Sequence, residues 1–284
     1  MTPSVARRSV SAPVLPTLRS AGSVVEEIRA AGPALVALSG GVDSSLVASL
    51  AWEALGEHAI AITLSGPAVA TREVERARRI ARSIGISHRV VDHDPLAHES
   101  YRRNPTNRCF FCREGEAERM IAIGRPLGVR QYLDGVHADD LGDDRPGLRA
   151  LDRAGFRHPL LRAGWRKSDV RAIARARGLP NWDEPSDACL ASRIAHGQLI
   201  EVDLLRRIER SEAAIRQYGF RRVRVRVAGT AARVEVDPDE VPRLLEANMA
   251  SKVRTAVGAE GFAPIVLDPE GYHASSAARG RRGV

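Results

Sequence analysis

Ala34-Leu-Val-Ala-Leu-Ser-Gly-Gly-Val-Asp-Ser-Ser45 decides the fold of this 284-residue chain. Leu35, Val36, Ala37 and Leu38 read as a strand buried on both faces. Ser39, Gly40 and Gly41 follow as a tight loop without bulk, around which backbone N–H groups can close on an anion. Asp43, Ser44 and Ser45 then open a helix that runs on through Leu46, Val47, Leu50 and Ala51. Its N-terminus adds partial positive charge toward the same anion. This reads as a phosphate cradle at the carboxyl end of a parallel strand, where open α/β sheets bind ligands. It is not a Walker A loop, because no lysine follows Gly41. The bland alternative is a plain glycine turn between strand and helix.

Outward from that loop the pattern repeats. Val24 to Ala30 is a short amphipathic helix. Ala59–Leu64 is a second strand, ended by Ser65, Gly66 and Pro67. Residues 70–84 carry apolar side chains at helical spacing, and Gly85 stops that helix. His88–Asp92 is a third strand. The order βαβαβ predicts an α/β fold with a parallel sheet and right-handed crossovers. Gln131–Asp134 is a further strand, trailed by Asp139, Asp140, Asp143 and Asp144. That acidic group either helps place Mg²⁺ against phosphates or is a solvated loop. Lys167 stands before a helix that Ser168 can cap and that runs to Gly178. The stretch 178–194 is broken by prolines and carries Cys189, Ser192 and Arg193; loops of this kind hold sites more often than cores. From about residue 198 the composition shifts to a small α+β unit. It has a basic helix over 202–218, an alternating strand Arg222–Val227, a pairing strand Ala232–Val236, a helix near 240–247 and a last strand at Ala263–Leu267. The arginine face of the alternating strand either binds phosphate or is a solvated strand face.

Composition narrows the class. The apolar fraction of 44% suits a globular chain, and no apolar run approaches a membrane span, so a cytoplasmic protein is expected. Residues 1–20 read as a disordered arm and 273–284 as a disordered tail. The net charge of +8 fits nucleic acid or anionic small substrates, and 4% aromatic residues argue against a base-stacking platform. Three cysteines do not make a disulfide framework. Cys109 and Cys112 form a Cys-x-x-Cys pair, which suits one metal or cluster, or a redox dithiol.

Ser39–Ser45 resembles the PP-loop of ATP pyrophosphatases, which cut ATP into AMP and pyrophosphate. Adding Asp134-Gly135, Asp144-Arg-Pro-Gly-Leu-Arg149, Lys167-Ser-Asp-Val-Arg171, Cys189–Arg193 and Val223-Arg-Val-Arg226, the chain resembles the LarE family of PP-loop sulfur transferases along nearly its whole folded length. That family turns the two carboxylates of a pyridinium mononucleotide into thiocarboxylates for the nickel-pincer cofactor. The resemblance implies a Rossmann-like, adenine nucleotide α-hydrolase-like PP-loop domain over 21–197 and a substrate or oligomerisation domain over 198–272. It implies ATP contacts at Ser39, Gly40, Gly41, Asp43, Ser44, Ser45, Leu64, Ser65, Gly135 and Lys167, with Asp43 and Asp140 on Mg²⁺. Substrate would meet Ser192, Arg193, Glu212, Arg224 and Arg226. Asp43 and the three cysteines would carry the chemistry.

Within the family, some members give up the sulfur of their own cysteine, and others hold a [4Fe-4S] cluster on three cysteines. Cys109, Cys112 and Cys189 match the cluster branch. The sacrificial position falls one residue farther from Ser192-Arg193, where this chain has Ala188. A zinc site with an unidentified histidine is a third arrangement. The expected partners are a small nucleotide substrate, a sulfide or sulfur-donor protein and further copies of the chain; a membrane and nucleic acid are not. Competing readings are a sacrificial Cys189, a PP-loop tRNA thiolase, an ammonia-using ligase similar to NAD or GMP synthetase, and a nucleotide-binding module without turnover.

Overall fold

Ala34, Leu35 and Val36 lie with no exposed surface in the middle of a parallel sheet, as a continuous apolar run requires. The structure is a computed structural model that describes residues 20–142, 146–185 and 187–273. The expected arm and tail, apart from Ser20 and His273, lie outside those residues, as do Asp143 and Asp144.

The first half runs α1 (Ala21–Ala31), β1 (Ala34–Ala37), α2 (Val42–Leu55), β2 (Ala59–Ser65), α3 (Thr71–Ile84) and β3 (Ser87–Asp92). Then come α4 (Glu99–Arg102), α5 (Arg108–Gly124), β4 (Gln131–Leu133), α6 (Pro146–Arg153), α7 (Pro159–Arg162) and α8 (Lys167–Ala176). The strand order is β3-β2-β1-β4, and every pairing is parallel. The chain steps outward from β1 to β3 and then returns to the other side of β1. The carboxyl end of β1 is therefore a topological switch point, and the loop 39–41 sits on it. Alternation along β1 sends Ala34 and Val36 toward α1, α2, α3 and α8. It sends Leu35 toward Ala117 and Met120 of α5 and Leu151 of α6. No helix among the described residues is long and apolar enough to cross a membrane.

A second sheet follows α9 (Val202–Gln217). It contains β5 (Val223–Ala228), β6 (Ala231–Val236) and, after α10 (Val241–Leu245) and α11 (Ala247–Ala259), β7 (Ile265–Leu267). β5 and β6 are antiparallel, and β6 and β7 parallel. Val223, Val225 and Val227 face a core shared with Leu205 and Ile208 of α9 and Val253 and Val257 of α11. That core also takes in Ala68, Ala70, Tyr101 and the turn Leu190–Arg193, all of which precede residue 198.

Two local expectations are corrected. Ser168 does not cap α8: the helix already includes Lys167, and the Asp169 carboxylate accepts from the N–H of Arg166 at 2.8 Å. The arginine face of β5 is not a solvated strand face. Arg224 is 2% exposed, because carboxylates from neighbouring segments cover it.

Candidate active site

The anion loop is tied from within. Ser44 Oγ donates to the Gly41 carbonyl at 3.1 Å and accepts from the Ser39 N–H at 3.2 Å. Ser45 Oγ donates to the same Gly41 carbonyl at 2.8 Å. Gly40 has φ +80°, and a Cβ there would stand 2.9 Å from the backbone nitrogen of Ala77 on α3. Only glycine fits. From the far side Asn181 donates to the Gly40 carbonyl at 2.8 Å and to Ser45 Oγ at 3.0 Å. With the loop so braced, the first-turn N–H groups of α2, which have no partner inside their helix, stand at its mouth.

Two remote segments, the start of α8 and the stretch 135–140 after β4, close on Asp43. Lys167 Nζ, at the start of α8, donates to both oxygens of the Asp43 carboxylate at 2.7 and 2.6 Å. Gly135, after β4, packs so tightly that a Cβ would lie 2.7 Å from the Ser44 nitrogen. His137 Nε2 lies 3.8 Å from Asp43 Oδ1 and 3.7 Å from Asp140 Oδ2. Asp139 accepts from the Lys167 N–H at 2.8 Å. Asp43, Gly135, Asp140 and Lys167 are thus brought together. Asp43 and Asp140 flank one imidazole, and two carboxylates with phosphate oxygens make a usual Mg²⁺ donor set.

Leu64 packs into the core beneath α5, while the Ser65 carbonyl accepts from the His93 N–H at 2.8 Å. Ser65 lines a cleft of about 720 Å³ at the carboxyl ends of β2 and β3, together with Gly66, Thr71, Arg78, Asp92 and Arg206. None of the residues lining that cleft belongs to the anion loop.

The substrate candidates form a second, charged cluster. Buried Arg193 grips Glu212 with two hydrogen bonds, Nε to Oε1 at 2.8 Å and Nη2 to Oε2 at 3.1 Å. Its Nη1 donates to the carbonyls of Ala188 and Cys189 and to Ser192 Oγ. Arg216 adds a bond to Glu212 at 2.9 Å. Burial opposes the Glu212 charge, yet Arg193 and Arg216 hold its carboxyl below the usual range. Arg226 pairs with Glu235 at 2.7 Å and donates to the Ser192 carbonyl at 3.3 Å. Arg224 pairs with Asp187 at 2.8 Å, and Asp187 also takes Arg72 at 2.6 Å and Arg76 at 3.4 Å. Burial would raise the Asp187 carboxyl, but Arg72, Arg224 and Arg76 bring it down to about 2.

The two clusters share α3: Ala77 abuts the anion loop, and Arg72 and Arg76 reach Asp187. They also share the irregular segment 179–189. It starts at Asn181 on the loop, passes Glu184, which pairs with Arg76 at 3.1 Å, and reaches Asp187 and Cys189.

Cys109 is exposed on the first turn of α5, and Cys112 lies one turn on, half-buried. The Cys112 thiol donates to Glu116 at 3.3 Å. Burial, then Glu116, pushes that thiol well above its ordinary range. Burial also raises Cys189, against the pull of Arg108 and Arg193. Cys112 and Cys189 both pack against the core of the second sheet. As they stand the three cysteines do not fit a cluster: among the described residues no three His, Cys, Asp or Glu side chains form a metal-holding group.

Sequence reasoning misses Asn181, Asp187, Arg72 and Arg76. It also misses buried His158, whose Nδ1 bonds Asp134 at 2.8 Å and whose Nε2 bonds Asp152 at 2.9 Å. The pairing places Asp134, next to Gly135, under the sheet end. The only sequence hint of Asn181 and Asp187 is that both fall in the proline-broken loop.

Comparison with known proteins bears on this arrangement. A family model described as NAD synthase matches residues 18–116. An uncharacterized protein of Synechocystis is 39% identical over 84% of this chain and 89% of its own length. The pyridinium-3,5-bisthiocarboxylic acid mononucleotide synthase of Lactiplantibacillus plantarum is 30% identical over 84% of this chain and 86% of its own. A tRNA-specific 2-thiouridylase of Xanthobacter autotrophicus is 31% identical, but over 59% of this chain and 53% of its own length.

Proposed function

The chain belongs to the LarE family of PP-loop sulfur transferases, and we propose that it adenylates the carboxylates of a pyridinium dicarboxylate mononucleotide and exchanges an oxygen of each for sulfur. It is an ATP-dependent sulfur transferase of nickel-pincer cofactor biosynthesis. The observation that carries the finer reading is the meeting of Lys167, Gly135 and Asp140 at Asp43, on the mouth of the anion loop.

A carboxylate is a poor electrophile. One of its oxygens attacks the α-phosphorus of ATP, the α–β bond breaks, and pyrophosphate leaves. The α2 N–H groups and Lys167 meet the charge that builds on the phosphates. Asp43 and Asp140 would hold Mg²⁺, which would supply further neutralisation of phosphate charge. Sulfur then attacks the acyl carbon, and AMP leaves with the original oxygen. Arg193, braced by Glu212, positions Ser192 and the backbone of Cys189, while Arg224 and Arg226 offer guanidinium groups to the substrate's phosphate.

The sulfur is proposed to pass through the cysteines, with Cys189 beside the substrate arginines. The [4Fe-4S] version of that reading requires the segment bearing Cys189 to shift toward Cys109 and Cys112. Iron and acid-labile sulfide after anaerobic purification decide between versions. About four of each per chain, lost on Cys112→Ala, supports the cluster. Neither after reconstitution overturns it and leaves Cys189 as the donor, seen as loss of sulfur mass after turnover. A division into 21–197 and 198–272 belongs to the same proposal, as does a homo-oligomer. Pyrophosphate release that depends on the dicarboxylate nucleotide tests the adenylation step. Release that depends on tRNA or ammonia instead would replace the reading.

A further inference from the structure

Three guanidinium groups converge on one carboxylate beside Cys189. Arg72 and Arg76 come from successive turns of α3 and Arg224 from β5, whereas Asp187 belongs to an irregular loop. Asp187 Oδ2 serves both Arg72 and Arg76, and Oδ1 serves Arg224. The carboxylate side chain is 6% exposed, but Arg72 is 35% exposed and marks the way in from solvent.

The pairing is incomplete. The Nε atoms of Arg72, Arg76 and the neighbouring Arg216 are buried without hydrogen-bond partners. Glu184 also pairs with Arg76, and Glu212 with Arg216, but Asp187 is the carboxylate that Arg72, Arg76 and Arg224 share, and it brings them one negative charge and two oxygens. A phosphomonoester brings about two negative charges and three terminal oxygens, a closer match to several guanidinium forks.

Asp187 also has a lever. Cys189 is two residues further on, and the Cys189 carbonyl is held by Arg193. Upstream, Glu184 is held by Arg76, and its carbonyl by Arg171. Glu184 fastens the segment to Arg76 alone, whereas Asp187, nearer to Cys189, fastens it to Arg72, Arg76 and Arg224 together.

We propose that Asp187 is an internal placeholder for the substrate's phosphate, and that a phosphomonoester entering the Arg72–Arg76–Arg224 seat displaces it and frees the segment that carries Cys189. The exchange swaps one anion for another and involves no covalent step. It keeps the arginines preformed before substrate arrives and links occupancy of the seat to the mobility of the sulfur-handling cysteine. The inference rests on the sulfur-transfer reading for the identity of the phosphomonoester, not for the exchange itself.

The test uses the full-length protein with inorganic phosphate as the probe, which is too small to shield a thiol. Cys189 alkylation by iodoacetamide is followed by peptide mass spectrometry as phosphate is added, with chloride at equal ionic strength as control. Wild-type Cys189 is expected to react several-fold faster with phosphate. Asp187→Asn is expected to react at the faster rate without it and to bind phosphate about tenfold more tightly, because the internal competitor is gone. Phosphate that binds the wild type without changing the Cys189 rate overturns the proposal, as does a folded Asp187→Asn protein with unchanged or weaker phosphate affinity. If Asp187→Asn does not fold, the wild-type labelling decides alone. A positive labelling result without sulfur transfer to the pyridinium nucleotide keeps the exchange and discards the substrate; the reverse discards the exchange alone.

Discussion

Lys167 neutralises Asp43 with two hydrogen bonds while its own N–H is held by Asp139. The ammonium is therefore fixed at the loop mouth before any phosphate arrives. Lys167→Met is expected to slow ATP-dependent pyrophosphate release by about 100-fold, the usual effect of losing one fixed charge-stabilising donor. A rate within about threefold of wild type in a pyrophosphate-release assay would remove Lys167 from the chemistry. His158 makes a different prediction. Burial alone would lower its pKa, but Asp134 and Asp152 outweigh burial and raise it above the ordinary 6.5. A raised folded pKa means that its stabilising charge is complete below the unfolded value and is lost as pH climbs through the folded one. The urea midpoint of the wild type is expected to fall between about pH 6 and about pH 9 by more than that of His158→Asn. Parallel slopes in the two proteins would contradict this. Such residues differ in how legible they are. Asp43 and Gly135 can be read because family motifs mark them. Asn181 and Asp187 cannot, since their partners lie far away in sequence, Asn181 being 141 residues from Gly40, and His158 cannot because its partners Asp134 and Asp152, 24 and 6 residues off, lie outside its own element. Periodicity reports neighbours within an element and is silent on such pairs.

At the level of elements, β1, α2, β2, α3 and β3 follow from their patterns because a strand buried on both faces and helices buried on one must carry those patterns. The short helices α4, α6 and α7 are missed, and so are the two longer helices α5 and α11, for different reasons. α5 buries little beyond Ala117 and Met120 among its apolar residues and is otherwise charged, so its stripe is thin. In α11, Ala250, Val253 and Val257 do follow helical spacing, and the chain there is simply read as ending its helix too early. The end of β4 is the element junction most sensitive to size. Gly135→Ala puts a methyl 2.7 Å from the Ser44 nitrogen and 2.8 Å from the Asp43 carbonyl carbon, both backbone atoms that cannot step aside cheaply. The expected cost is about 1–3 kcal/mol of stability and at least a tenfold loss of ATP affinity. Thermal unfolding with and without ATP measures both. An unchanged ATP-induced shift would separate β4 from the nucleotide site.

For the whole molecule, two sheets with separate cores meet along α3, the segment 179–189 and the turn Leu190–Arg193. The Arg193–Glu212 pair lies at that junction, with side chains 1% and 2% exposed. Glu212→Ala would leave Arg193 buried without its carboxylate and Arg216 without its partner, and is expected to cost about 3–5 kcal/mol in urea unfolding. A loss under about 1 kcal/mol would mean the junction is not held there. This meeting of the sheets is what the sequence leaves unread: strand and helix patterns specify each layer, but the ion pairs that join them link residues with no common periodicity. The anion loop, the arginine cluster proposed to seat a phosphate and Cys189 are linked through α3 and the segment 179–189, and the proposed sulfur transfer to a carboxylate uses all three. The mass of the nucleotide tests that most directly, after the reduced protein is incubated with Mg-ATP, the pyridinium dicarboxylate mononucleotide and sulfide. Oxygen-for-sulfur exchange at the carboxylates is expected, with AMP and pyrophosphate formed in step. A nucleotide of unchanged mass, with ATP cleaved or not, would contradict it.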